Sequence, residues 1–149
     1  MTNKVEIIVG TTLGGAEYVA DELTMIFEQQ GYHVTSHLDP ELDELDNSAL
    51  WLVVSSTHGA GDLPDNLQPF YQNLQATDKE LSTVSFAVCA IGDSSYDTFC
   101  QGPAKLTEML EQRGAKQLTA KIQIDVQYDP VPEDPAIQWL ESWIQPAQA

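Results

Sequence analysis

The chain has 149 residues, 42% of them hydrophobic, and its 23 acidic and 6 basic residues give a formal net charge of −17 at pH 7. This length predicts a single domain over residues 1–149. The charge argues against nucleic acid as a partner, because the phosphate backbone would repel the protein. We expect no membrane contact either, since the sequence contains no run of about 18 apolar residues.

The first residues and the cysteines indicate the cellular compartment. Residues 1–4 lead directly into an apolar run and lack the pattern of a signal peptide, so we expect a cytoplasmic location. Cys89 and Cys100 are too few for a disulfide framework and lack the spacing of a metal site, so we expect reduced thiols and no metal. The acidic surface either maintains solubility or attracts a basic partner protein.

Strand-like and helix-like segments alternate from the start of the chain. A β-branched run at residues 5–9 precedes residues 17–30, whose apolar positions recur at helical spacing. Residues 33–38 predict a second strand. Residues 50–54 predict a third strand that is apolar at every position, which is typical of a strand covered on both faces.

The alternation continues to the end of the chain. The remaining predicted elements are a helix at 65–74, a strand at 84–91, a helix at 104–112, a strand at 117–126, and a final helix capped by Asp134 and reaching Ile144. This order predicts an α/β fold in which a doubly wound, five-stranded parallel sheet carries helices on both faces. The strand order 2-1-3-4-5 suits it, with ligands beyond the carboxyl ends of strands 1, 3 and 4.

Small and hydroxylated residues follow the first predicted strand. Gly10–Glu17 leads into a helix, so backbone N–H groups, two threonine hydroxyls and the helix dipole would converge there on an anion. No Lys or Arg lies between Lys4 and Lys79, and both the P-loop and the dinucleotide-binding glycine patterns are absent. The segment therefore predicts a phosphate monoester held by neutral donors, or a simple glycine-rich turn.

Polar segments also follow the third and fourth predicted strands. They are Ser55–Asn66, whose two glycines permit close backbone approach, and Gly92–Cys100. Each segment alone could be a polar turn in which Ser and Asp side chains satisfy the backbone. Together they would place donors, a carboxylate and an aromatic ring on one edge of the sheet, as a planar heterocycle requires.

These loops resemble those of a known family. Gly92–Cys100 closely resembles the isoalloxazine-binding loop of short-chain flavodoxins, and Thr57–Asn66 is similar to the matching loop of diflavin reductases. The chain from Val5 to Trp143 resembles small single-domain flavodoxins. The resemblance implies a flavodoxin-like fold, FMN as cofactor, and one-electron or two-electron transfer without enzymatic catalysis by the protein. It also implies an NADPH-dependent ferredoxin/flavodoxin reductase as electron source and biotin synthase as a possible acceptor.

The resemblance also assigns roles to residues. Thr11–Ala16 would hold the phosphate, Tyr96 would stack on the ring, and Asp93 with the backbone near Cys100 would meet the pyrimidine edge. The Gly59–Ala60 peptide would lie beside flavin N5 and turn with the redox state. The cofactor-binding candidates are Thr11, Thr12, Leu13, Gly14, Gly15, Ala16, Ser56, Thr57, His58, Gly59, Ala60, Gly61, Asp62, Gly92, Asp93, Tyr96, Phe99 and Cys100.

Three positions depart from the family pattern. Leu13 and Ala16 stand where flavodoxins have threonines, which removes two hydroxyl donors from the predicted phosphate loop. His58 stands where a Trp or Tyr is usual, so one face of the ring would have a smaller, titratable cover. These changes affect the expected FMN affinity and redox potential.

Other functions remain open beside the electron carrier. The chain could be an FMN-dependent reductase that uses NAD(P)H directly, although little sequence remains to build a nicotinamide pocket. It could also be a weak FMN binder with a regulatory role. A response-regulator receiver has the same strand order, but Gly10-Thr11 and Ser55-Ser56 occupy the places of its required acidic residues.

Overall fold

Strands and helices alternate along the chain, and the computed structural model describes residues 3–12, 14–58 and 61–147. The strands are β1 (Lys4–Gly10), β2 (His33–His37), β3 (Leu50–Ser56), β4 (Ser85–Gly92), β5 (Lys116–Gln117) and β6 (Ile122–Asp125). The α-helices are α1 (Gly15–Gln29), α2 (Gln68–Ala76), α3 (Gln101–Gln112) and α4 (Glu133–Trp143), and short 3-10 turns cover Leu42–Glu44 and Asp65–Leu67.

Within the described residues, one parallel sheet holds six strands in the order β2-β1-β3-β4-β5, with β6 also paired to β4. The predicted doubly wound order 2-1-3-4-5 is therefore confirmed. The predicted fifth strand at 117–126 is not continuous, because β5 lies beside the start of β4 and β6 beside its end. Between them, the N–H of Leu118 still donates to the carbonyl of Phe86 in β4 at 2.7 Å, and the carbonyl of Ala120 then accepts a hydrogen bond from Nε1 of Trp139 in α4 at 3.0 Å.

The hydrophobic core lies in two layers, one on each face of the sheet. Every residue of the segment Leu50–Val54 is buried, and successive side chains of a strand point to opposite faces. Leu52 belongs to the layer under α1 and α4, whereas Trp51 and Val53 belong to the layer under α2 and α3. Helices thus cover both faces, as predicted. In the described part of the chain, no helix is both long and apolar enough to cross a membrane.

The helices start at positions other than those predicted, and α1 begins at Gly15 instead of residue 17. The helix predicted at 65–74 opens as the 3-10 turn Asp65–Leu67 before α2 begins, and α3 starts at Gln101, earlier than predicted. The prediction that Asp134 caps the last helix is wrong, because Pro132 precedes α4 and already has helical angles, φ −63° and ψ −23°. Proline fixes φ near this value. Asp134 consequently lies in the first turn, where its charge faces the positive end of the helix dipole.

Candidate functional site

A cleft of about 400 Å³ opens at the carboxyl ends of β1, β3 and β4. Its walls are the loops that follow these strands, together with one residue that follows β6. The first loop starts where the chain order reverses, since β1 lies between β2 and β3 in the sheet. In a doubly wound fold this reversal leaves a crevice in which ligands bind.

The cleft brings together residues from all three loops named by the sequence. Predicted site residues in its lining are Thr11, Thr12, Gly15, Ala16, Ser56, Thr57, His58, Gly92, Asp93, Tyr96, Phe99 and Cys100. Predicted site residues that the structure describes but that do not line the cleft are Gly14, Gly61 and Asp62. Predicted site residues outside the described part of the chain are Leu13, Gly59 and Ala60, and the expected peptide rotation at Gly59–Ala60 falls there with them.

Ile91, Thr98 and Val126 also line the cleft, although the sequence did not single them out. Ile91 directly precedes the segment Gly92–Cys100 that was predicted to bind the ring, and Thr98 lies within it. Their position in the sequence could therefore have indicated them. Val126 follows β6, and its N–H donates a hydrogen bond to the carbonyl of Gly92 at 2.9 Å. Only the sheet topology brings Val126 to this site.

The first loop presents an uncapped helix end to the cleft. Gly14 is the N-cap residue of α1 with φ +90°, and within the described residues no side chain caps the helix. Its N–H donates to Oγ1 of Thr11 at 2.8 Å, and the N–H of Thr11 donates to Oδ1 of Asn66 at 3.0 Å. Gly15 and Ala16 then begin the helix and line the cleft, and a Cβ built on Gly15 would meet open space. The first helical N–H groups have no helical partner, so this end fits an anion such as a phosphate.

Two backbone hydrogen bonds join His58 to Asp62 in the second loop. The N–H of His58 donates to the carbonyl of Asp62 at 2.8 Å, and the N–H of Asp62 returns a bond to the carbonyl of His58 at 2.9 Å. Gly61 has φ +95°, an angle that glycine adopts without steric cost. The Asp62 carboxylate bonds to Nζ of Lys105 at 2.8 Å, and this hydrogen bond lowers the pKa of Asp62. Asp62 thus connects the second loop to α3.

The third loop is shaped by its own carboxylate. Oδ1 of Asp93 accepts hydrogen bonds from the N–H of Ser95 at 2.9 Å, from Oγ of Ser95 at 2.6 Å and from Nε2 of Gln127 at 2.9 Å. The bonds from Ser95 are the main cause of a lowered pKa at Asp93. Asp93 therefore satisfies the backbone of its own turn while also lining the cleft. Its predicted contact with a pyrimidine edge stays a prediction.

Aromatic and thiol groups complete the cleft on the side of the third loop. Tyr96 lines the cleft with 64% of its surface exposed, so a planar ligand could cover its ring. Phe99 is half-buried beside it. Cys100 is buried in the left-handed region with φ 56°, and burial raises the pKa of its thiol to about 11. This thiol is therefore neutral at pH 7 and adds no further negative charge to the cleft.

Comparisons with known proteins agree with one another. Residues 7–139 match the family model described as Flavodoxin. The chain is 48% identical to protein MioC of Escherichia coli O157:H7, covering 94% of this chain and 95% of MioC. It is 34% identical to the sulfite reductase (NADPH) flavoprotein alpha-component of Bacillus subtilis, covering 95% of this chain but 23% of that protein. A solved cysteine-to-serine mutant of a flavodoxin from Pseudomonas aeruginosa is 33% identical, with a TM-score of 0.85 over 93% of this chain and 95% of that one.

Proposed function

The chain belongs to the flavodoxin family of FMN-binding electron-transfer proteins, and from that premise we propose that it accepts electrons from an NADPH-dependent flavodoxin reductase and passes them to an acceptor such as biotin synthase. It is an electron carrier and not an enzyme. Bound FMN supplies the one-electron and two-electron chemistry. The protein's residues bind and orient the cofactor and set its electrostatic surroundings.

One observation carries the assignment of the site. A single cleft joins an uncapped helix end at Gly15–Ala16 to the aromatic side chains Tyr96 and Phe99. FMN has a phosphate at one end and a flat ring system at the other, and the lining of the cleft offers a feature for each. We therefore assign the phosphate to the first loop and the ring to the third loop, with His58 covering part of the ring.

The choice of partners rests on charge and on one relative. A net charge of −17 favours a basic docking surface on both donor and acceptor. The Bacillus subtilis relative, named for NADPH, contains a segment similar to this chain within a longer protein. That arrangement supports an NADPH-linked reductase as the electron source here. Biotin synthase is the acceptor implied by the resemblance to small flavodoxins.

Anaerobic reduction of the FMN-loaded protein tests the electron route. We expect its visible flavin absorption to bleach with NADPH plus a flavodoxin reductase, but not with NADPH alone. After NADPH has been removed, addition of oxidised biotin synthase should restore the oxidised flavin spectrum, and failure of this step alone would remove biotin synthase as the acceptor. Bleaching by NADPH alone would instead identify a reductase that binds NAD(P)H itself. A protein that retains no flavin absorption after excess FMN is removed by gel filtration would favour the weak-binding regulatory module.

Tyr96→Ala should weaken FMN binding about tenfold or more. Stacking on an aromatic ring contributes about 0.5–1.5 kcal/mol beyond area burial, and 1.4 kcal/mol corresponds to tenfold in affinity. Fluorescence titration of FMN measures the change. Tyr128→Ala is the matched control, because Tyr128 is 81% exposed and lies outside the cleft lining. His58→Ala should cost less than Tyr96→Ala, and an unchanged dissociation constant in folded Tyr96→Ala would remove this ring from the site.

Reduction of the protein by a basic reductase should slow by at least about tenfold as the ionic strength rises from about 0.02 to 0.2 M. Steering by opposite charges raises association rates by about 10–10³-fold, and salt screens it over about 10 Å at 0.1 M. Stopped-flow measurement of the second-order rate constant gives the result. Dithionite, an anion, is the control because salt should not slow its reaction with an acidic protein. A salt-independent rate with the reductase would leave the acidic surface as a solubility feature only.

A further inference from the structure

The side chain of Asn66 connects three separate backbone segments around the first loop. Its Nδ2 donates hydrogen bonds to the carbonyl of Val9 in β1 at 2.6 Å and to the carbonyl of Leu38 after β2 at 2.8 Å. Its Oδ1 accepts a bond from the N–H of Thr11 at 3.0 Å. A planar amide offers two N–H donors and an acceptor oxygen, and here all three functions are used.

Asn66 does not line the cleft, but it is connected to the start of α1 through hydrogen bonds. Asn66 holds the N–H of Thr11, and Oγ1 of Thr11 in turn holds the N–H of Gly14, the N-cap residue of α1. Asn66, which lies outside the cleft lining, thus helps to orient the loop before α1 through these two hydrogen bonds. This matters because the sequence places no Lys or Arg between Lys4 and Lys79, so affinity for an anion depends on correctly aimed neutral donors.

We propose that Asn66 is a positioning residue that sets the phosphate affinity of the first loop without touching the cofactor. This inference rests on the proposed binding of FMN through its phosphate in this cleft. A carboxylate at position 66 would face the carbonyls of Val9 and Leu38 without a proton to donate. An alanine there would leave the two carbonyls and the N–H of Thr11 without their partner.

Titration of FMN and riboflavin into matched variants tests the proposal. Asn66→Asp and Asn66→Ala should each raise the dissociation constant for FMN about tenfold or more and leave that for riboflavin within about twofold, since lost hydrogen bonds to the loop affect only the phosphate. Asn73→Asp is the control, because it makes the same chemical change at an exposed position on α2. Thermal unfolding of each variant verifies that the titrations are made on folded protein.

Hydrogen exchange of the unsubstituted protein provides a second test that does not depend on any variant folding. The amide protons of Thr11 and Gly14 should exchange slowly in the absence of FMN, because both are hydrogen-bonded within the protein. Exchange at the rate of an open loop would overturn the proposal. So would folded Asn66 variants that keep the unsubstituted ratio of FMN to riboflavin affinity. If the unsubstituted protein itself shows no preference for FMN, the proposed function fails instead.

Discussion

The protein should bind FMN at least about a hundredfold more tightly than riboflavin. The two ligands differ only in the phosphate, which the uncapped end of α1 at Gly15–Ala16 can accept. A hydrogen bond to a charged group contributes about 1.5–3 kcal/mol, so two such bonds give about 3 kcal/mol or more, which corresponds to about a hundredfold in affinity. Titration calorimetry with both ligands measures the difference.

The same titration at low and high salt serves as an internal control. Because the predicted donors are neutral N–H and O–H groups, the preference for FMN should persist at high ionic strength, whereas attraction by Lys or Arg would be screened. Equal affinity for FMN and riboflavin would contradict the assignment of the phosphate to this loop. A preference that disappears with added salt would mean that basic side chains hold the phosphate.

Gly102→Ala should lower the free energy of unfolding by about 1–3 kcal/mol, the usual cost of adding atoms to a well-packed site. A Cβ built on Gly102 would lie 2.5 Å from the carbonyl oxygen of Asp62, and this neighbour is backbone that cannot turn aside. The N–H of Gly102 also donates to Oγ1 of Thr57 at 3.2 Å. The added methyl group would therefore push the start of α3 away from the second loop of the cleft.

Helix propensity alone gives the opposite expectation, because Ala is favoured over Gly in a helix by about 1 kcal/mol. Gly15→Ala is a suitable control, since Gly15 also lies at the start of a helix but a Cβ there would meet open space. In the FMN-free protein, urea unfolding should show Gly15→Ala to be neutral or slightly stabilising. A Gly102→Ala protein as stable as the unsubstituted one would show that the second loop and α3 are not in firm contact.

The broad fold was predictable because its signals are local. The all-apolar segment Leu50–Val54 is typical of a strand covered on both faces, and the structure buries each of its residues. The glycine-rich segment Gly10–Glu17 lies between a strand and a helix, which led to the prediction of an anion site at a helix end. The boundaries of the elements were less predictable, since Pro132 is the N-cap residue of α4 where the sequence favoured Asp134.

The loops that line the cleft were predictable from the sequence, but the contacts that other elements make with these loops were not. The sequence singled out Tyr96 and His58 from short polar segments, and the structure places both in the cleft lining. It did not single out Val126, because only the parallel pairing of β6 with β4 brings that residue beside Gly92. The break between β5 and β6 was also not predictable, because Trp139, which bonds to the carbonyl of Ala120 there, belongs to a different element of the chain.

The sequence by itself determined the order of the elements, the family resemblance and the three loops at one edge of the sheet. These depend on periodicity and on residue types within a few positions of one another. Only the tertiary structure decided that Asn66 holds Thr11 and that Lys105 holds Asp62. The partners in these pairs are far apart in the chain, and they meet only because parallel strands bring their carboxyl ends together. Contacts of this kind leave no local pattern, because each requires only one polar side chain at the right place in the packed fold.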